Sequence, residues 1–284
     1  METARIAEAI SGNKQYQVRA RATLPILVRQ AFAETTIFYS DLAVELEMPN
    51  PRNLNYVLGS IGQAIKELSI KWNEEIPPIQ CLVVNKNTGL PGEGIGWFIT
   101  DKAEFRSLPK RQQRRLVEAQ LQKTFFYRKW LDVLREFGLQ PVLSNYSNVL
   151  SRAANYRGGG ESEQHKKLKE YVCSNPSIIG LPREIASGQL EYALPSGDSL
   201  DVLLMHKDKW VAVEIKSSIS TDADLVRGIF QCIKYRAVIE AYQASMNLPQ
   251  NARAVLVLSG ALTPDLVALK NMLGVEVLEN VRQE

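Results

Sequence analysis

Two acids and a lysine, Asp201, Glu214 and Lys216, stand in the stretch Asp-Val-Leu-Leu-Met-His-Lys-Asp-Lys-Trp-Val-Ala-Val-Glu-Ile-Lys that runs from Asp201 to Lys216. Apolar, β-branched runs flank the polar residues His206 to Lys209, which predicts a β-hairpin with Lys207 and Asp208 at its tip. That register sets His206 against Lys209, Leu203 against Ala212 and Asp201 against Glu214. Directly opposed residues have Cβ atoms about 4.5–5.5 Å apart, and the strand period puts Lys216 on the same face just beyond Glu214. Val202, Leu204, Val211, Val213 and Ile215 cover one face of the hairpin, and Leu203, Met205, Trp210 and Ala212 the other, so both faces read as buried. Carboxylates this close in a partly desolvated place repel each other, and a divalent cation would neutralise them. Oxygen ligands favour Mg²⁺ or Mn²⁺ over zinc. The plain alternative is an amphipathic hairpin whose acids lie at solvent-exposed strand ends.

The spacing of Asp201, twelve intervening residues and then Glu214-Ile215-Lys216 resembles the core of the PD-(D/E)XK nuclease superfamily, the fold of many restriction endonucleases. Leu200 stands where the proline of the motif would be. The resemblance runs from about Glu161 to the C-terminus, a little under half of the chain. It implies a restriction-endonuclease-like α/β sandwich around a central mixed sheet. It further implies a metal held by Asp201, Glu214 and Ile215, with Lys216 positioning the attacking water and stabilising charge on a phosphate. DNA is the substrate it implies, and restriction or phage defence the setting. The first helix of that fold frequently supplies a further Glu, for which Glu161 is the match. Gln231, in the stretch Gly228 to Ala237, resembles the Gln of a helix that follows the core strands, which implies a role in orienting water or phosphate beside plain helix packing. A non-catalytic DNA-binding or regulatory protein with a nuclease-like scaffold is the alternative, against which the intact Asp/Glu/Lys set argues.

The elements that must position these residues follow from the pattern around them. Glu161, His165, Leu168 and Val172 fall at i, i+4, i+7 and i+11, one inward stripe of a helix expected over Glu161 to Val172, with Glu163 turned away. His165 and His206 otherwise read as isolated. Glu191 to Leu194 reads as a strand, and Thr221 with Asp224 as a capping box opening a helix to about Tyr242. A strand from Arg253 to Leu258, a helix from Asp265 to Met272 and a strand from Val275 to Leu278 complete an α/β alternation.

Upstream, apolar spacing predicts helices over Val18 to Phe32 and Arg52 to Lys71, with a short helix capped by Ser40 between them. Ile79 to Val84 reads as a strand, followed by the turn-rich Asn85 to Gly96 and a second strand, Trp97 to Ile99. Helices followed by a hairpin with a long tip resemble a winged-helix module, so the chain reads as a mainly α winged-helix-like domain over 1–100. That resemblance implies DNA contacts by Arg52, Asn53, Asn55 and Lys66 on a reading helix, with Lys86 and Asn87 in the wing. Such modules also serve dimerisation and protein contacts, which keeps a second copy of the chain and an activating protein open as partners. A helical connector and linker is expected over 101–157, and the nuclease-like domain over 158–284. A long helix from Leu108 to Phe137 carries the basic cluster Lys110, Arg111, Arg114 and Arg115, read as a phosphate-binding face or a solvated one. Gly89 to Gly94 lacks the Gly-Lys-Ser/Thr ending of a phosphate-binding loop, so turn chemistry explains its glycines.

Composition sets the outer bounds. The 284 residues are 45% hydrophobic, enough for real cores, and the net charge of +3 is too small for a uniformly basic nucleic-acid binder. Cys81, Cys173 and Cys232 stand singly, which excludes a disulfide framework and a paired-cysteine zinc site. With no membrane-length apolar run and no secretory leader pattern in the opening residues, a cytoplasmic setting is expected.

Overall fold

The computed structural model describes residues 7–100, 102–142, 145–155, 162–182 and 188–282. The chain forms two compact units, Met1–Ser144 and Asn145–Glu284. Among the described residues no helix is long and apolar enough to cross a membrane.

The first unit is mainly helical. Its elements are α1 (Gln15–Phe32), β1 (Ile37–Phe38), α2 (Tyr39–Glu45), α3 (Leu54–Trp72), β2 (Val83–Val84), α4 (Gly96–Ile99), α5 (Lys102–Ser107), α6 (Lys110–Phe126) and α7 (Trp130–Glu136). Leu24 and Leu27 of α1 and Leu54 and Ile61 of α3 meet Ile79, Leu82, Trp130 and Leu134 in one buried cluster. The helices expected around α1 and α3 are therefore present, and their apolar spacing faces this core. Residue 38, not Ser40, precedes the first turn of α2.

Among the described residues the expected wing is absent. Ile79–Leu82 turns as a 3₁₀ helix, and only Val83–Val84 extends, pairing in parallel with Ile37–Phe38. All six residues from Ile79 to Val84 are buried, and a run buried on every side carries no alternation with which to tell strand from helix. Trp97 to Ile99 is helical rather than extended. Phe98 is seated on α3 at Gly62, where a Cβ would lie 2.4 Å from its Cζ, so the segment is fixed by packing and has no strand partner. The long helix expected from Leu108 to Phe137 is two helices, α6 and α7. Trp130, at the start of α7, is fully buried and donates from Nε1 to the Thr124 carbonyl at 2.8 Å, which turns the chain back onto the first unit's core.

The second unit contains α8 (Ser147–Asn155), α9 (Glu163–Ser174), β3 (Gln189–Ala193), β4 (Ser199–His206), β5 (Lys209–Lys216), α10 (Asp222–Ser245), β6 (Ala252–Leu258), α11 (Pro264–Met272) and β7 (Glu276–Leu278). The strands form one mixed sheet in the order β3-β4-β5-β6-β7, antiparallel from β3 to β5 and parallel from β5 to β7. Parallel neighbours need a crossover, which α10 supplies between β5 and β6. Val202, Leu204, Val211, Val213 and Ile215 bury one sheet face with Leu168 and Val172 of α9. Leu203 and Ala212 bury the other with Tyr235 and Ile239 of α10. Both hairpin faces are thus covered as expected, except at Met205, which is 37% exposed. Each fully buried Val, Leu or Ile contributes about 1.5–3 kcal/mol, so both faces add substantially to the stability of this unit. Thr221 and Asp224 form the expected reciprocal capping box at the start of α10.

Candidate active site

From its turn inward the β4–β5 hairpin has the expected register, with His206 paired to Lys209, Leu203 to Ala212 and Val202 to Val213. There the ladder stops, one step short of Asp201 and Glu214. On the opposite edge of β4 the pairs Leu190–Val202 and Tyr192–Leu200 also pass over Asp201. Its neighbour on that side, Glu191, has φ of 51°, in the left-handed region that non-glycine residues rarely adopt. Glu191 is anchored away from the gap, ion-paired with Lys169 of α9 and accepting from the Ser199 hydroxyl at 3.3 Å. Strand β4 is thus released on both sides at Asp201. The Asp201 carboxylate fills the place of the missing ladder bond, its Oδ2 accepting from the Ile215 backbone N–H at 2.7 Å.

Helix α9 supplies a second side chain to the same spot. Ser162 caps it by accepting the His165 N–H at 3.2 Å, which starts the helix at Glu163 rather than at Glu161. Glu161 lies outside the described residues; Glu163 is exposed in the first turn. His165 Nε2 lies 3.0 Å from the Ile215 carbonyl oxygen and 3.4 Å from Asp201 Oδ2. A carbonyl oxygen only accepts, so Nε2 carries the proton in this contact. Both backbone polar groups of Ile215 are therefore met by side chains where a neighbouring strand would otherwise serve. In the sequence alone His165 stands apart from the acids, yet its place on the Leu168 and Val172 stripe marks it as facing the sheet.

Glu214 and Lys216 complete the cluster from the other face of β5. Glu214 is 4% exposed, and Lys216 Nζ donates to its Oε1 at 2.5 Å. Burial first, and then the charge of Asp201, push the Glu214 carboxyl up to about 7, against the opposing pull of Lys216 and His165. Over these residues lies α10, where burial and the Glu214 charge push the Cys232 thiol and the Tyr235 phenol upward. Gln231 Nε2 donates to the Tyr235 hydroxyl at 3.0 Å, which in turn contacts the Ser199 carbonyl at 3.3 Å. The Gln231 side chain is thus tied to the start of β4 through Tyr235, rather than to Asp201, Glu214 or Lys216. Five residues beyond Lys216, Thr221 to Ala223 and the α8 residues Val149, Arg152 and Asn155 line a cavity of about 580 Å³.

As a cation site this donor set is small. Among the described residues no group of three or more His, Cys, Asp or Glu could hold a metal ion. Mg²⁺, however, is commonly bound through one or two carboxylates and completes its shell with water and substrate phosphate. Two mutually repelling carboxylates, one of them buried, fit that requirement. The Ile215 carbonyl, also expected in the metal set, is the oxygen that His165 contacts.

The residues expected to touch nucleic acid lie in the first unit. Arg52 and Asn53 sit in the 3₁₀ turn Pro51–Asn53, and Asn55 and Lys66 lie on α3, all exposed. Arg111, Arg114 and Arg115 project from the first turns of α6, and Arg114 donates to the Thr88 carbonyl at 3.3 Å, bracing the loop that carries Lys86. With no hairpin present, Lys86 belongs to a turn built on Asn85, whose Oδ1 accepts from the Asn87 N–H at 2.9 Å. No family model, curated protein or solved structure matches the chain.

Proposed function

We propose that the chain is a divalent-metal-dependent nuclease that hydrolyses DNA phosphodiester bonds, with its chemistry in a PD-(D/E)XK, restriction-endonuclease-like second unit. The observation that carries this reading is the buried Glu214 carboxylate, pressed by Asp201 and met by the Lys216 ammonium at 2.5 Å. A scaffold has no use for buried like charges, which cost stability unless a ligand offsets them. Asp201 and Glu214 would hold Mg²⁺ or Mn²⁺, which when bound supplies Lewis acidity and a more acidic water. Lys216 places a cation where negative charge grows on a phosphate, and a preorganised donor in a dry site is worth more than one in water. His165 holds the Asp201 carboxylate and the Ile215 backbone in register, so the acids keep their spacing when substrate arrives.

The first unit would supply affinity for the phosphate backbone. The first turn of α6 contains no acid, and Lys110 and Arg111 stand at the helix end where the dipole disfavours cations. A polyanion would relieve that arrangement, and its binding would weaken steeply with salt. The deciding experiment incubates the purified full chain with supercoiled plasmid, linear duplex and single-stranded DNA, in chelator, Mg²⁺ or Mn²⁺. Cleavage that needs the metal and is lost in Lys216→Ala is expected. No cleavage of any substrate with either metal, or full activity in Lys216→Ala, would overturn the reading.

A further inference from the structure

Helix α10 carries a buried glycine, Gly228, inside its run from Asp222 to Ser245. A glycine within a helix is less favourable than alanine, so its presence asks for a reason. Backbone conformation is not that reason, because Gly228 is not one of the positive-φ glycines. Space is. A Cβ on Gly228 would lie 2.9 Å from Leu256 Cδ1, 3.3 Å from Lys216 Cε and 3.5 Å from Lys216 Cγ. Leu256 is the partner of Glu214 in the β5–β6 pairing, so the missing side chain opens onto the neighbours of the buried acid.

We infer that Gly228 is a positioning residue for Lys216: its bare Cα leaves a lane between α10 and Leu256 in which the lysine stem lies. The inference rests on the nuclease reading, which gives the Lys216 ammonium its task. A long lysine stem has many rotamers, and a walled lane removes most of them before substrate binds. The ammonium is thereby delivered to Glu214 Oε1 at 2.5 Å. A methyl group at 228 crowds both neighbours: Leu256 Cδ1, at 2.9 Å, must shift, and Lys216 Cε, at 3.3 Å, must give by a few tenths of an ångström. Leu256 is fully buried in a packed cluster, whereas the Lys216 side chain is 18% exposed and its head can swing outward. With Leu256 pressed against its cluster and the methyl in the lane, the lane narrows, and the lysine stem is the part free to leave it.

The test compares full-length wild type, Gly228→Ala and Gly228→Ala/Leu256→Val in metal-supported cleavage, thermal melting and the ¹³Cε resonance of Lys216, assigned with Lys216→Arg. Gly228→Ala is expected to lower kcat by about tenfold or more while KM stays within about twofold, the signature of a misplaced group rather than lost binding. Its melting temperature should stay within a few degrees of wild type, alanine's better helix propensity offsetting part of the crowding at Leu256, and the Lys216 resonance should move while other lysines stay. Leu256→Val removes the Cδ atoms that crowd the methyl, so the double variant should recover most of kcat and the native resonance. A Gly228→Ala protein with kcat within about twofold of wild type, or a folded double variant with no recovery, overturns the inference. If wild type cleaves nothing, the nuclease reading fails by itself, and an unmoved Lys216 resonance in Gly228→Ala would separately refute the packing claim.

Discussion

The two ends of one hairpin make opposite use of the same backbone. At the turn end of β4–β5, His206 pairs with Lys209 and every step to Val202 and Val213 is an ordinary ladder. At the far end the ladder is withheld, and Asp201 and His165 meet the N–H and C=O of Ile215 instead. Strand pairing gives stability but consumes the polar groups and fixes the side chains in alternation. Ending the pairing early lets a carboxylate turn into the plane of the sheet and lets a helix reach the strand from one face. The candidate site is therefore made by what the sheet leaves undone, and the regular end keeps the rest in register.

The sharpest way to break this comparison is to remove a lysine from each end of β5. Lys216→Ala is expected to lower DNA cleavage by at least about 100-fold, the scale of losing one preorganised charge-stabilising donor. Lys209→Ala, beside the turn, should leave the rate within about twofold. Parallel cleavage time courses on one DNA substrate decide it, and equal losses would erase the distinction between the ends.

A second contrast lies in pH. Burial and the Asp201 charge raise the Glu214 carboxyl in the folded chain from its ordinary 4.5 to about 7. Between those values the folded chain holds a proton that the unfolded chain has released, so this group's contribution to stability is lost as pH rises through the window. Thermal melting in chelator should therefore show stability falling from about pH 5 to about pH 8, and Mg²⁺ should stabilise most at the upper end. Glu214→Gln should flatten the slope and weaken the Mg²⁺ response. A wild-type slope of the opposite sign would count against a buried, repelled acid.

Smaller effects probe the backbone itself. Asp201→Ala leaves the Ile215 N–H without its acceptor, while Asp201→Asn keeps a carbonyl oxygen there and removes the charge beside Glu214. Asp201→Ala should be the less stable of the two by about 1–2 kcal/mol in urea unfolding, although both lose cleavage. Equal stabilities would show that the side chain does not substitute for the ladder. At the turn, Lys207 has φ of 55°, which favours glycine. Lys207→Gly is expected to stabilise by no more than about 1 kcal/mol, with cleavage unchanged.

The regular end was legible in the sequence because alternation carries register: Val202, Val211 and Val213 face one way, Leu203 and Ala212 the other, and any slip would expose a whole face. Asp224 three residues after Thr221 was equally readable, since a capping box is local chemistry. The departure at Asp201 was not, because the contacts that replace the ladder join Ile215 to Asp201 and to His165 of α9, segments that no pattern around Asp201 contains. His165 needed the sheet to be seen as a partner, not as a neighbour in sequence. In the first unit, Ile79 to Val84 misled because burial on all sides removes the periodicity that distinguishes strand from helix. The basic residues of α6 were visible as composition, but their bracing of the Asn85 turn through Arg114 came only from the fold.

The strand order of the second unit also sets a sequence of events during folding. From β3 to β5 each strand pairs with its neighbour in the chain, while β6 pairs with β5 across the intervening helix from Asp222 to Ser245. Local contacts form sooner than those that close long loops. The two acids are thus gathered early on an open hairpin, wetted and cheaply ionised, and the lid that dries Glu214 arrives late. Pulse-labelled hydrogen exchange should find amides of β4 and β5 protected before those of β6. Divalent cation present during refolding then meets the acids while they are still in water, so the conditions of folding help to determine how the site is filled.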